Sequence, residues 1–130
     1  MLSVHTLSEI ARYSPAALYA TGGVFNLTYG RTHPREFFGG LDASTWFGPY
    51  RPLIRDLILP NGAAFAALLG AFEIVVVGLL LAGGTMMGIG LVARVVFTLL
   101  VVPVSNVAGA LANLALAAGQ CVLLWIQLNP

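Results

Sequence analysis

The chain has 130 residues, of which 58% are hydrophobic and 8% charged, with six arginines, no lysine and a formal net charge of +1. A soluble domain carries about 25% charged residues to wet its surface, and this composition in water would expose apolar patches large enough to aggregate. The length suits one folding unit and the charge leaves no basic tract for a nucleic-acid backbone, so a single integral membrane domain over residues 1–130, binding no nucleic acid, is expected.

One cysteine, Cys121, excludes an internal disulfide, a CxxC redox pair and a cysteine-rich metal cluster. Two histidines, His5 and His33, do not make a metal site by themselves. Neither a metal site nor a cofactor set of the chain's own is therefore expected. The amino-terminal stretch MLSVHTLSEIARY lacks the charged start and small-residue cleavage pattern of a signal peptide. It reads as mature protein leading into a first span.

A helix crossing the hydrocarbon core needs about 20 mostly apolar residues. The first span is expected over about residues 10–30, around SPAALYATGGVFNLTYG, with Glu9 and Arg12 near the interface. Pro15 falls in its first turns, where it kinks a membrane helix without preventing it. The second span is expected over about 62–83, after Pro60 breaks the preceding segment and Asn61 caps the helix. From Met86 to Leu128 the chain carries a single charge over 43 residues, about twice what one span needs. It should divide at Val102-Pro103-Val104-Ser105-Asn106, giving spans over about 86–102 and 106–127. Gly83, Gly84 and Thr85 then close a tight hairpin between the second and third spans. The fold class is all-α, an integral membrane four-helix bundle with both termini on one side.

The one long connection, 31–61, holds most of the charge and the aromatics Phe37, Phe38, Trp46, Phe47 and Tyr50. Aromatic side chains with an apolar body and a polar edge collect at membrane–water boundaries. Within it, PLIRDLIL places Leu53/Leu57 and Ile54/Ile58 at helical spacing, with Arg51 and Arg55 on another face. That pattern predicts a short interfacial helix, with Trp46, Phe47, Tyr50, Arg51 and Arg55 available to lipid or a bound cofactor. Four arginines in the connection against Arg12 near the other side place the connection in the cytoplasm.

Charge inside a membrane is costly and asks for a partner. Glu73 lies eleven residues before Gly84 and Arg94 ten after it, so antiparallel helices bring the two to one depth. The spacing predicts a Glu73–Arg94 ion pair, serving as a staple for helix register, a proton relay or part of a polar pocket. Asn26 in the first span is a candidate third member. Asn113 and Gln120, seven residues apart, share one face of the fourth span and are expected to point into the bundle. Cys121 reads as a small buried hydrophobe.

Small residues recur at four-residue spacing in Ala16/Ala20, Ala66/Gly70, Ala108/Ala112 and Ala115/Gly119, which permits close helix approach. The fourth span carries them on more faces than one neighbour requires, which points to a partner helix. Phosphate-loop, nucleophile-triad and metal-helix motifs are missing. The glycines at Gly88 and Gly90 read as packing residues, and no catalytic residues are expected.

With Arg12 ahead of GGVFNLTYG at 22–30, GAFEIVVVGLLLAGG at 70–84 and Arg94 in LVARVVF, the chain resembles the DoxX family of small four-helix membrane proteins. The resemblance implies a bacterial or archaeal membrane subunit associated with oxidoreductases, related to a component of thiosulfate:quinone oxidoreductase. Glu73 and Arg94 are the residues that carry over by position. The sequence has no cysteine pair or histidine pair to hold a redox centre, so electron transfer would come from a partner or a bound cofactor.

The leading expectation is an accessory, non-catalytic subunit of a larger respiratory or photosynthetic complex in the bacterial inner membrane, in contact with the lipid bilayer and other membrane subunits. It would stabilise helix packing and hold lipid, quinone or pigment. One alternative is a DoxX-like quinone-linked oxidoreductase subunit working through Glu73 and Arg94. Another is a small proton-coupled transporter, disfavoured because Arg94 neutralises the glutamate that would bind a cation.

Overall fold

A computed structural model describes residues 3–129, so Met1, Leu2 and Pro130 of the expected 1–130 domain lie outside it. Among the described residues every regular element is helical and no strand occurs. The first long helix, α1 (Val4–Phe25), begins well ahead of the expected boundary because Ser3 caps it, its Oγ accepting from the Thr6 amide at 3.1 Å. Pro15 consequently sits in the middle of α1 rather than in its first turns. The helix then widens into a π-helical turn, Asn26–Gly30.

Four short elements follow in the connection, α2 (Pro34–Phe38), α3 (Leu41–Ser44), α4 (Tyr50–Leu53) and a π-helical turn at Ile54–Ile58, before the long helix α5 (Gly62–Ala82). The expected helix over PLIRDLIL is there as α4 and its π extension. Ile54 is buried while Leu53 and Leu57 are exposed. Asn61 does not cap α5 with its side chain; its Nδ2 instead donates to the Leu57 carbonyl at 2.9 Å and closes the preceding turn.

The α5–α6 turn is tighter than the three residues expected. Gly83 alone separates α5 from α6 (Gly84–Val101), and φ of +73° at Gly83 and +53° at Gly84 explains why two glycines stand there. The break after α6 falls where Pro103 predicted it, as a 3₁₀ turn over Val102–Val104. Asn106 then caps α7 (Val107–Leu128), its Oδ1 accepting from the Gly109 amide at 2.8 Å.

The helices α5, α6 with its 3₁₀ extension, and α7 are each long and apolar enough to cross a membrane, with mean hydropathy of 2.5, 2.2 and 1.8 over their most apolar windows. Together they make a membrane-embedded protein. Helix α1 is long enough but is not among them, since Glu9, Arg12 and a run of hydroxyl residues and glycines dilute its apolar content.

The helices pack in chain order, α1 on α5, α5 on α6 and α6 on α7. Each presents a buried stripe at three- and four-residue steps: Ala16, Tyr19, Gly23, Asn26 and Gly30 on the first, Met87, Leu91, Arg94 and Thr98 on α6. The core of Ala16, Tyr19, Val76, Leu80, Met87 and Leu91 lies where these stripes meet. Helix α1 reaches α5 unusually closely: a methyl added to Gly23 would come 3.3 Å from the Gly70 carbonyl, and one on Gly70 would come 3.0 Å from the Gly23 carbonyl.

The connection also ties back across the molecule. Carbonyls at the end of a helix lack intrahelical donors, and residues 44–46 supply donors to those of the α6–α7 turn, where Val102 O also accepts from the Ser105 amide. Ser44 Oγ donates to Val104 O at 2.6 Å, the Trp46 amide to Pro103 O at 3.2 Å, and the Trp46 indole to Val102 O at 3.2 Å.

Candidate functional site

The inward stripes of the four long helices carry polar groups at one level. Glu73 projects from α5 and Arg94 from α6, and Arg94 Nη1 donates to Glu73 Oε1 at 3.1 Å. The hairpin spacing therefore has the depth that the sequence implied. Both side chains are largely buried, 8% exposed for Arg94 and 12% for Glu73. The second carboxylate oxygen accepts from Asn26 Nδ2 at 3.5 Å, so the residue at the start of the π-helical turn does join the pair. Room for that carboxylate exists because residue 22 is glycine: a Cβ there would collide with Glu73 Oε2.

On its other side the guanidinium of Arg94 lies 4.0 Å from the centre of the Tyr19 ring and 5.3 Å from that of Phe97. A desolvated cation over an aromatic face gains about 2 kcal/mol, which offsets part of the cost of burying it. The Tyr19 hydroxyl in turn accepts from Gln120 Nε2 on α7. Asn26, Glu73, Arg94, Tyr19 and Gln120 thus form a continuous polar chain through all four long helices. Arg94 Nε, Thr98 Oγ1 and Gln120 Oε1 are buried along it with no hydrogen-bond partner.

Asn113 does not belong to this chain. It sits two turns nearer the α6–α7 turn, and its Nδ2 donates to Ser105 Oγ at 3.2 Å. The expectation that it would share the bundle interior with Gln120 fails because the local turn offers a nearer partner. Cys121 is exposed rather than buried, since it is the neighbour of inward-facing Gln120 and so points away from α6. The small residues Ala66 and Gly70 are used inside the bundle, whereas Ala108, Ala112, Ala115 and Gly119 of α7 remain exposed.

The residues expected to meet lipid or a cofactor are split by the structure. Trp46 and Phe47 are exposed, and Trp46, Phe47 and Tyr50 form a ladder of edge-on rings with centroids 6.4 and 5.6 Å apart. The arginines are committed to the connection itself. Arg51 donates to the Thr45 carbonyl from Nε at 3.4 Å and Nη2 at 3.3 Å, and Arg55 pairs with Asp42 at 2.9 Å.

Three participants escaped the sequence reading: Tyr19, Gly22 and the role of Arg12. The spacing 16, 19, 23, 26, 30 along the first helix is a signal that would have found Tyr19 on the same face as Asn26. Arg12 donates through Nη2 to the Leu81 carbonyl, placing a cation at the carboxyl end of α5 where the helix dipole favours it. Chemically, the cluster holds one carboxylate already engaged by a cation and an amide. Among the described residues no three His, Cys, Asp or Glu gather into a metal-binding group. No protein family, curated protein or solved structure matches the chain.

Proposed function

We propose that the chain is a multi-pass protein of the bacterial inner membrane, a four-helix bundle of α1, α5, α6 and α7 with the helix over residues 50–58 lying in the interface. Its role is that of an accessory, non-catalytic subunit of a larger respiratory or photosynthetic complex, packing helices and holding lipid, quinone or pigment. The observation that carries this reading is the outer surface of α7. Only one side of that helix meets α6, and Ala108, Ala112, Ala115 and Gly119 leave its other faces smooth enough for a second helix to approach closely. The charged pair, by contrast, is spent on internal partners. Purification in mild detergent followed by native mass spectrometry should recover the chain with companion polypeptides in fixed ratio. A stable lone chain would overturn the proposal.

A second reading follows from the Glu73–Arg94 pair, the two residues that the resemblance to a DoxX-like, quinone-linked redox subunit carries over by position, with Asn26 bonded beside them. Under it, Glu73→Gln reduces quinone turnover per assembled complex, beyond any loss of assembled protein. Unchanged turnover removes this reading. Engagement of Glu73 by Arg94 at 3.1 Å leaves no free carboxylate for a transported cation, which argues against the transporter alternative.

A further inference from the structure

Phe25, Tyr29 and His33 follow at four-residue steps and stack as a column of near-parallel rings. The centroids are 5.2 Å apart with planes at 22° for Phe25 and Tyr29, and 4.7 Å apart at 11° for Tyr29 and His33. Residues four apart overshoot an α-helical turn by about 40°, and the wider π-helical turn over Asn26–Gly30 takes that overshoot out. The column stands on the outside of the bundle: Phe25 is 49% and Tyr29 40% exposed, and His33 is exposed as well. Its depth follows from α5. Asn26, beside Phe25, bonds Glu73 at the middle of that helix, Gly30 lies against Ala66, and Pro34 lies against Gly62 at its first residue. The eleven steps from Gly62 to Glu73 rise about 16 Å, close to one leaflet's half of a hydrocarbon core of about 30 Å. The rings therefore run the depth of one leaflet, with the imidazole at the headgroup end.

The charge at that end is uncommitted. Arg12, Arg51, Arg55 and Arg94 each donate to a protein acceptor. Arg31 and Arg35, two residues to either side of His33, are exposed and make no hydrogen bond or ion pair among the described residues. Glu36 is exposed beside them, so the group keeps one net positive charge. We propose that the column and the two arginines bind one anionic phospholipid of the leaflet facing the connection, with its phosphodiester on Arg31 and Arg35 and an acyl chain along Tyr29 and Phe25. A guanidinium fork matches two phosphate oxygens, and rings already held by stacking lose little freedom when a chain settles on them. A zwitterionic lipid brings its own ammonium to the same place, and free phosphate leaves the rings uncovered. A partner helix laid here would have to bury two cations without a counter-charge. The proposal names the lipid within the reading above and rests on α1 being the fourth span, but it does not depend on companion subunits.

The test is lipid retention by the purified chain, released from nanodiscs of equimolar phosphatidylglycerol and phosphatidylcholine and weighed by native mass spectrometry. One phosphatidylglycerol should be retained per chain, favoured over phosphatidylcholine by about fivefold. Arg31→Gln/Arg35→Gln, two exposed changes that break no contact, should erase the preference. Tyr29→Ala interrupts the column at its middle and should lower retention of phosphatidylglycerol severalfold. Arg55→Gln removes an equally exposed charge that is paired with Asp42, and it should leave the preference in place. Equal retention of the two lipids, or retention unaffected by Tyr29→Ala, would overturn the proposal. So would a preference that survives Arg31→Gln/Arg35→Gln or is lost equally in Arg55→Gln, since the lipid would then answer to the charge of the whole face. Companion polypeptides in fixed ratio without retained phosphatidylglycerol would sink this inference and leave the subunit reading standing, and a lone chain that keeps the lipid would do the reverse.

Discussion

Arg94 lies over the ring of Tyr19 at 4.0 Å, and this contact links α1 to α6, two helices that share no backbone hydrogen bond. The tyrosine belongs to α1 and the arginine to α6, so a helix that is not itself among the apolar ones is held to those that are. The same arginine holds Glu73 and, through the tyrosine hydroxyl, the contact continues to Gln120. One cation therefore sits at the junction of four helices.

Removing either charge of that pair leaves the other buried and uncompensated. Glu73→Gln or Arg94→Leu should each lower stability by roughly 3–5 kcal/mol, read by steric-trap or denaturant unfolding in micelles. The double variant Glu73→Gln/Arg94→Leu should lose much less than the sum of the singles. Additive losses would show that the two side chains act independently.

Alanine at Gly22, which faces α5, and at Gly119, which faces open space on α7, separates crowding from helix propensity. Gly22→Ala drives a methyl into the Glu73 carboxylate and should cost about 1–3 kcal/mol. Gly119→Ala meets open space and should be neutral or slightly stabilising, since alanine favours the helix by about 1 kcal/mol over glycine. Equal effects at the two sites would contradict the close approach of α1.

Trp46→Phe keeps the exposed ring but deletes the indole N–H that reaches Val102 O. The loss should be about 0.5–1.5 kcal/mol, accompanied by faster proteolysis of the connection between α3 and α4. Limited digestion at a constant protease ratio reads this directly. An unchanged cleavage rate would mean that the indole bond does not anchor the segment.

Cys121 is a native reporter of what surrounds α7. A nitroxide attached to it in nanodiscs should relax faster with molecular oxygen than with a water-soluble nickel chelate, as expected for an exposed cysteine on a membrane helix. The opposite ranking would place that face of α7 in water.

The sequence shows the parts whose cause is one-dimensional. Hydropathy located α5, α6 and α7, Pro103 marked the break between the last two, and equal distances from Gly84 paired Glu73 with Arg94. Asn26 was placed in the cluster because few polar residues occur in the spans. Where two local options competed, the sequence did not decide. Asn113 could face the bundle or its own turn, and Ser105 was nearer. Asn61 could cap forward or bond backward, and the Leu57 carbonyl took it. Cys121 was misread because apolar surroundings in sequence do not distinguish the inner face of a membrane helix from its outer one. Tyr19 stayed hidden because a tyrosine within a weakly apolar segment resembles an interfacial residue until its helical phase is counted.

The bonds from residues 44–46 to the turn after α6 also bear on the order of assembly. Trp46 receives its acceptor from Val102, which follows 56 residues later in the chain, and Ser44 waits 60 residues for Val104. A ribosome delivers the connection long before the carbonyls that hold it, so the segment stays undocked while α5 and α6 are being made. It closes only when the turn into α7 has emerged. The turn after α6 thus docks a loop made much earlier, and a protein truncated before Val102 would carry its aromatic ladder loose.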